Sequence, residues 1–266
     1  MIKSPLTTMK YYEEKPFLEH LEDLRWVIIK SLLALGGGSL ICFIETKPLM
    51  AILLKPLKSA GEDPQKVLRV LGVVDPFSVQ LQLSLLGGLV LSLPFILYFV
   101  AQFIIPGLTP SELRLLFPIF SVGALLFVGG ILFSYFILLP QTLQFFSAYN
   151  KWMGVQTDWT LQNYSNFVVQ MLISFGLAFE LPLVVILLGI LGILQSATLS
   201  RYRRHAIVII VVAAACITPT SDPLSLFLLA APMYLLYECS LWVLKAIEAR
   251  KRTQKDRAIE KGDVIP

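Results

Sequence analysis

The sequence predicts an all-α polytopic membrane protein, and three observations carry that expectation. Hydrophobic residues fill 56% of the 266 positions and charged residues only 15%, whereas a soluble domain carries about a quarter charged residues. The apolar residues gather in long runs with almost no charge, and mean hydropathy is +0.74. Lysines and arginines fall unevenly on alternate sides of those runs.

A helix needs about 20 residues, at about 1.5 Å each, to cross about 30 Å of hydrocarbon. Six apolar segments compete for that role, at about 26–44, 77–105, 115–139, 164–194, 205–218 and 223–244. The first is interrupted by Lys30, the second by Pro94, the fourth by Glu180 and the sixth by Glu238. The second and fourth are long enough to tilt or kink. The fifth and sixth are short, and Arg203 and Arg204 are placed to snorkel at the end of the fifth. Between the first and second, PLMAILLKPLKSAG sets apolar residues between prolines and predicts a short helix lying on the outer surface. Between the third and fourth, an aromatic-rich stretch from Pro140 to Tyr164 suits an interfacial belt through Trp152, Trp159 and Tyr164.

Six spans put both termini on one side, and the basic residues say which. Fifteen lysines and arginines share the side of the termini, six lie opposite and Lys30 lies within a span. The positive-inside rule therefore predicts cytoplasmic termini. The chain divides into a membrane domain, 1–245, and a basic cytoplasmic tail, 246–266. The N-terminal segment has no apolar h-region and carries five acids before Arg25, unlike a cleavable secretory or transit peptide.

Enzymatic chemistry finds no support. His20 and His205 stand alone without HExxH, and neither GxSxG nor a P-loop occurs. Cys42, Cys216 and Cys239 lie in or beside apolar runs without CxxC spacing and read as small buried hydrophobes. No metal site and no cofactor is expected, and no nucleic-acid partner.

Five stretches, in order across roughly residues 17–245, resemble the TatC family, the large subunit of the twin-arginine translocase. They are FLEHLEDLRWVIIKSLLAL, DPFSVQLQLSLL, FIIPGLTPSELRLLFP, FGLAFELPLVV and ITPTSDPLSLFLLAAPMYLLYE. The family's first motif carries a Glu where this chain has Asp23 with Glu22 beside it, so either can take that role. Its loop acid is matched by Glu112, the following basic residue by Arg114, and the acid of its last outer loop by Asp222.

The resemblance implies a concave six-helix bundle that reads the paired arginines of signal peptides on folded passenger proteins. Guanidinium is planar and pairs bidentately with carboxylates, so such a reader needs acids on its cytoplasmic face. Glu112 and Asp23 are the first choices, with Glu22 and Glu19 beside them, and Arg25 and Arg114 as supporting residues of that interface. Without the resemblance, the same acids equally suit the positive end of a helix, and Glu112 a helix cap.

Glu180 in mid-span must face protein or water, with Pro182 bending the helix nearby and Gln102 and Gln170 available as polar partners. The family implies that single-span TatA/TatB-type subunits dock there. Other partners implied are further copies of the chain and the bilayer itself. Glu238 reads as an acid reaching the cytoplasmic interface, and Asp222 as a turn or cap residue or an outer-loop contact. The implied membrane is the bacterial inner membrane or the thylakoid, with transport driven by the proton-motive force. A rival function is a proton-coupled secondary transporter using Glu180.

Overall fold

A computed structural model describes residues 17–105, 110–217 and 223–260. The expectations at 106–109 and at Asp222 lie outside the described residues, as do those on the first 16 and last 6 positions. Eleven helices follow in order among the described residues: α1 Phe17–Ile44, α2 Thr46–Ser59, α3 Pro64–Val67, α4 Asp75–Ile104, α5 Pro110–Phe133, α6 Leu139–Trp152, α7 Leu161–Phe179, α8 Leu181–Ile190, α9 Ser196–Arg201, α10 Arg203–Ile217 and α11 Pro223–Glu260.

Five spans in this set are long and apolar enough to cross a membrane: 21–44, 75–104, 118–152, 161–190 and 225–250. Large apolar side chains on them point outward, with Leu33, Leu125 and Leu235 71%, 72% and 65% exposed. That surface needs lipid around it. The expected fifth span is α10, whose 15 residues cover only about 22 Å.

Helix α1 is held chiefly by α4. Phe43 packs edge-on to Phe77, with ring centroids 6.4 Å apart, and its carbonyl accepts a 3.3 Å hydrogen bond from Gln80 Nε2. Deeper along the pair, Gly38 meets Gly88. A Cβ built on Gly38 would lie 2.8 Å from the Gly88 carbonyl oxygen, and one on Gly88 would lie 2.5 Å from the Ser39 backbone nitrogen. Small residues let backbones approach this closely, which supplies packing between helices whose outer faces meet only hydrocarbon.

The third helix corrects the expected boundary. Rather than stopping near Leu139, the chain passes through a π-helical turn at Ser134–Leu138 and continues as α6 to Trp152. Leu139 N–H bonds to the Ser134 carbonyl. The wide turn accommodates Pro140, whose ring would clash with the carbonyl four residues back in a regular helix. The interfacial-belt reading is also corrected in part. Trp152 is exposed, but Tyr164 is only 3% exposed and donates a 2.8 Å hydrogen bond to the Leu53 carbonyl.

The PLMAILLKPLKSAG segment is indeed a helix, α2, burying Leu53, Pro56 and Leu57 against α4 and α6. Two-residue strands, β1 Leu68–Arg69 and β2 Trp159–Thr160, pair in parallel beside it. Lys151 reaches Glu62 at 2.7 Å, Ser147 also donates to Glu62, and Arg69 meets Asp158 at 3.2 Å. Together these contacts tie α2, α6 and the start of α7 into a cap over one end of the bundle. Lys151 and Ser147 hold the Glu62 carboxyl below the usual carboxylate range.

At the opposite end, Glu248 of α11 accepts from the Ser196 N–H at 2.8 Å and from its hydroxyl, fixing α9 to the last helix. The expectation of a short sixth helix is corrected: that last helix has 38 residues and continues unbroken through the basic segment to Glu260.

Candidate functional site

The antiparallel α1–α4 pair decides which sequence-predicted acids share an end. Contacts run from Gly38–Gly88 to Phe43–Phe77, rising along one helix while falling along the other. The start of α1 therefore lies beside the end of α4. Five residues from Ile105 to Pro110 span at most about 18 Å, much less than the length of either helix, so α5 begins at that same end. Glu19, Glu22 and Asp23 on the first turns of α1, and Glu112 and Arg114 on the first turn and a half of α5, occupy one end of the bundle.

On α1, Glu19, Glu22 and Asp23 stand three and four residues apart and so share a face. Glu19 and Glu22 are exposed, Asp23 is half-buried, and Arg25 is exposed. Pro110 opens α5, which puts Glu112 at its third position. A carboxylate at that position of a helix is favoured by the macrodipole.

Glu180 sits at a break in the fourth span. Its residue forms the turn between α7 and α8: its N–H bonds to Leu177 O at 3.1 Å and its carbonyl accepts from Val184 N–H at 3.1 Å. Pro182 lacks the N–H that would continue the ladder. Both carboxyl oxygens are shielded from solvent and have no hydrogen-bond partner among the described residues. Gly123 of α5 makes the room: a Cβ there would lie 3.2 Å from Glu180 Oε2 and 2.1 Å from Leu183 Cδ1. Gly123 is eleven residues past Glu112, hence about 16 Å deeper along α5.

The expected polar partners of Glu180 are corrected. Gln102 is exposed and donates to Tyr98 Oη at 2.8 Å on its own helix. Gln170 precedes Glu180 by ten residues, about 15 Å along the axis. It opens instead onto a lateral groove with Gln82, Asn166 and Cys216.

Sequence reasoning missed the polar chain beside that groove. Gln82 Nε2 donates to Asn166 Oδ1 at 2.7 Å, Gln162 Nε2 to the same oxygen at 3.0 Å, and Ser165 Oγ to Gln82 Oε1 at 3.2 Å. The visible signal was Gln162, Asn166 and Gln170 at four-residue spacing in an apolar run, which stacks them on one helix face. Glu238 is likewise more than an interfacial acid. Arg203 Nη2 reaches it at 3.0 Å and Tyr234 Oη donates to it at 3.1 Å, joining α10 to α11.

Apolar helices of membrane length, a capped end, acids gathered at the other end and, among the described residues, a buried acid without a hydrogen-bond partner between helices define a multi-pass membrane protein. Comparison with known proteins points to protein translocation. The model of the Sec-independent protein translocase protein (TatC) family matches residues 19–232. A Sec-independent protein translocase protein TatC from Akkermansia muciniphila is 43% identical over 197 residues, 74% of this chain and 56% of that protein. The chloroplastic counterpart from Pisum sativum is 40% identical over 235 residues, 88% of this chain and 65% of that protein. The chain thus spans less than two thirds of the length of these two relatives. The crystal structure of a twin-arginine translocase receptor, TatC, in the detergent DDM superposes with a TM-score of 0.75 at 34% identity, covering 84% of this chain and 98% of that one. The chain belongs to the TatC family.

Proposed function

We propose that this chain is the twin-arginine signal-peptide receptor and the core assembly platform of a translocase that moves folded proteins. The observation that carries the reading is the gathering of Glu19, Glu22, Asp23 and Glu112 at one end of the bundle. Guanidinium forks and carboxylates pair bidentately. Because Glu19 and Glu22 are exposed, water weakens each contact, and about 1 kcal/mol per fork is the appropriate scale. Two forks then discriminate by roughly one to two powers of ten. Asp23, being half-buried, holds its partner better than its neighbours do.

In this reading α10 is the short fifth of six spans, the bundle is concave, and the acid-bearing end and both termini face the cytoplasm. Single-span partners dock laterally near Glu180, whose unpaired carboxyl supports a polar contact supplied from outside the chain. Further copies of the chain assemble around it, and the proton-motive force drives transport. The membrane is a bacterial inner membrane or a thylakoid.

Site-specific photocrosslinking of a signal peptide to the full chain in membranes tests the receptor role. Crosslinks at the α1–α5 end are expected with a twin-arginine peptide, and about tenfold fewer with a twin-lysine one or with Glu112→Ala. Equal labelling of Glu112→Gln and Asp23→Asn relative to the parent would remove these acids from the role.

A further inference from the structure

On the flank of the bundle, beneath α2, lies an apolar groove that the signal-reading surface does not use. It encloses about 510 Å³. Its walls include Leu53 of α2, Leu86 and Leu91 of α4, and Leu132, Tyr135 and Phe136 at the π-helical turn. Leu91, Leu132 and Phe136 are exposed along its open side, so the groove faces the bilayer. From Leu83 to Leu91, both lining residues, α4 advances about 12 Å, most of the roughly 15 Å thickness of one hydrocarbon leaflet.

The roof is fixed rather than collapsible. Tyr135 Oη donates a 2.8 Å hydrogen bond to the Ile52 carbonyl, pinning α2 to the π-helical turn. Tyr164 holds the next carbonyl, that of Leu53. Lys55, exposed on α2, is the sole charged side chain among the described lining residues. It has no ion-pair partner among the described residues.

We propose that this groove is a binding site for a single anionic glycerophospholipid, one acyl chain filling the apolar trough and the headgroup phosphate pairing with Lys55. The occupant follows from three matched features. A groove that opens sideways into hydrocarbon takes an alkyl chain. Its depth is that of one leaflet. Its one cation stands on the helix that roofs it, at the level of the headgroups, and a Lys ammonium serves well as a phosphate-binding point charge. The π-helical turn turns Tyr135 and Phe136 into the wall, in keeping with the frequent association of such turns with functional sites. The inference does not depend on the receptor reading, and its test involves no signal peptide.

The purified, delipidated full chain is titrated with dioleoylphosphatidylglycerol, dioleoylphosphatidylcholine, dioleoylglycerol or glycerol phosphate, with retention read by native mass spectrometry and stability by melting in detergent. One phosphatidylglycerol is expected to be retained at least about fivefold better than phosphatidylcholine and to raise the melting temperature. Dioleoylglycerol and glycerol phosphate, each lacking half the ligand, are expected to do neither. Lys55→Glu abolishes the preference, Lys58→Glu on the same helix but outside the groove keeps it, and Leu91→Trp blocks retention by filling the trough. Equal retention of the two phospholipids, equal losses in Lys55→Glu and Lys58→Glu, or full stabilisation by glycerol phosphate alone overturns the proposal. Should Leu91→Trp fail to fold, the contrast between the two lysine variants decides.

Discussion

Replacing Gly88 by alanine adds one methyl group at the place where α1 and α4 touch, and the structure gives that methyl nowhere to go. Its ideal position is 2.5 Å from the Ser39 backbone nitrogen and 2.6 Å from the Ser39 Cα. A backbone neighbour cannot rotate aside, so α1 must move away by roughly half an ångström to an ångström. Overpacking of this kind costs about 1–3 kcal/mol, offset by the roughly 0.5–1 kcal/mol that Ala contributes over Gly in a helix. The net loss is about 0.5–2 kcal/mol. At about 2–4 °C per kcal/mol for a chain of this size, the apparent melting temperature falls by roughly 1–8 °C.

The same helix pair contains its own control. A Cβ on Gly36 meets nothing within 4 Å, so Gly36→Ala retains only the helix-propensity gain and raises the melting temperature by about 1–4 °C. Thermal melts in detergent read the sign of each change. Spin-label distances between positions 33 and 95, both exposed, read the displacement. Because α4 is the main support of α1, the shift carries to Glu19, Glu22 and Asp23, and twin-arginine crosslinking falls although no acid has changed. If Gly88→Ala melts like the parent with unchanged distances, or if both variants move in the same direction, close α1–α4 approach is not what holds the first helix.

Arg203→Ala, Glu238→Ala and the double variant form a cycle expected to yield a coupling of about 0.5–1.5 kcal/mol, since the pair is partly exposed and screened; additivity in detergent melts would show that the contact holds nothing. Glu62 has a folded-state pKa below its ordinary value, so its contribution is complete above about pH 4.3 and is lost as pH falls through the lower folded value. Glu62→Gln and Lys151→Ala should each flatten the acid limb of the stability profile, and an unchanged limb would assign it to other groups. Tyr164→Phe removes a buried hydroxyl bonded to Leu53 O and is expected to cost about 1 kcal/mol, read as faster proteolysis of the α2 segment.

Hydropathy and charge spacing were enough to predict a polytopic helical chain, because hydrocarbon demands long uncharged runs with internally satisfied backbone whatever the packing. The amphipathic α2 was legible for the same reason: apolar residues grouped between prolines need one buried face. The acids at 19, 22, 23 and 112 were legible as charges beside spans, and it is their place in family motifs that ties them to the proposed receptor role. Tertiary structure decided the rest. The third helix passes Pro140 because a π-helical turn, unmarked in the residue pattern, widens the backbone just before it. Tyr164 leaves the interface for the core because α2 folds back to offer it a carbonyl. Gln102 turns to Tyr98, and Glu180 finds no hydrogen-bond partner among the described residues, since partner choice depends on which helix faces turn toward each other. One-dimensional periodicity records how much surface a helix must bury, whereas the neighbour that buries it is set by close approaches such as Gly38 on Gly88, hundreds of atoms apart along the chain and in contact only once folded.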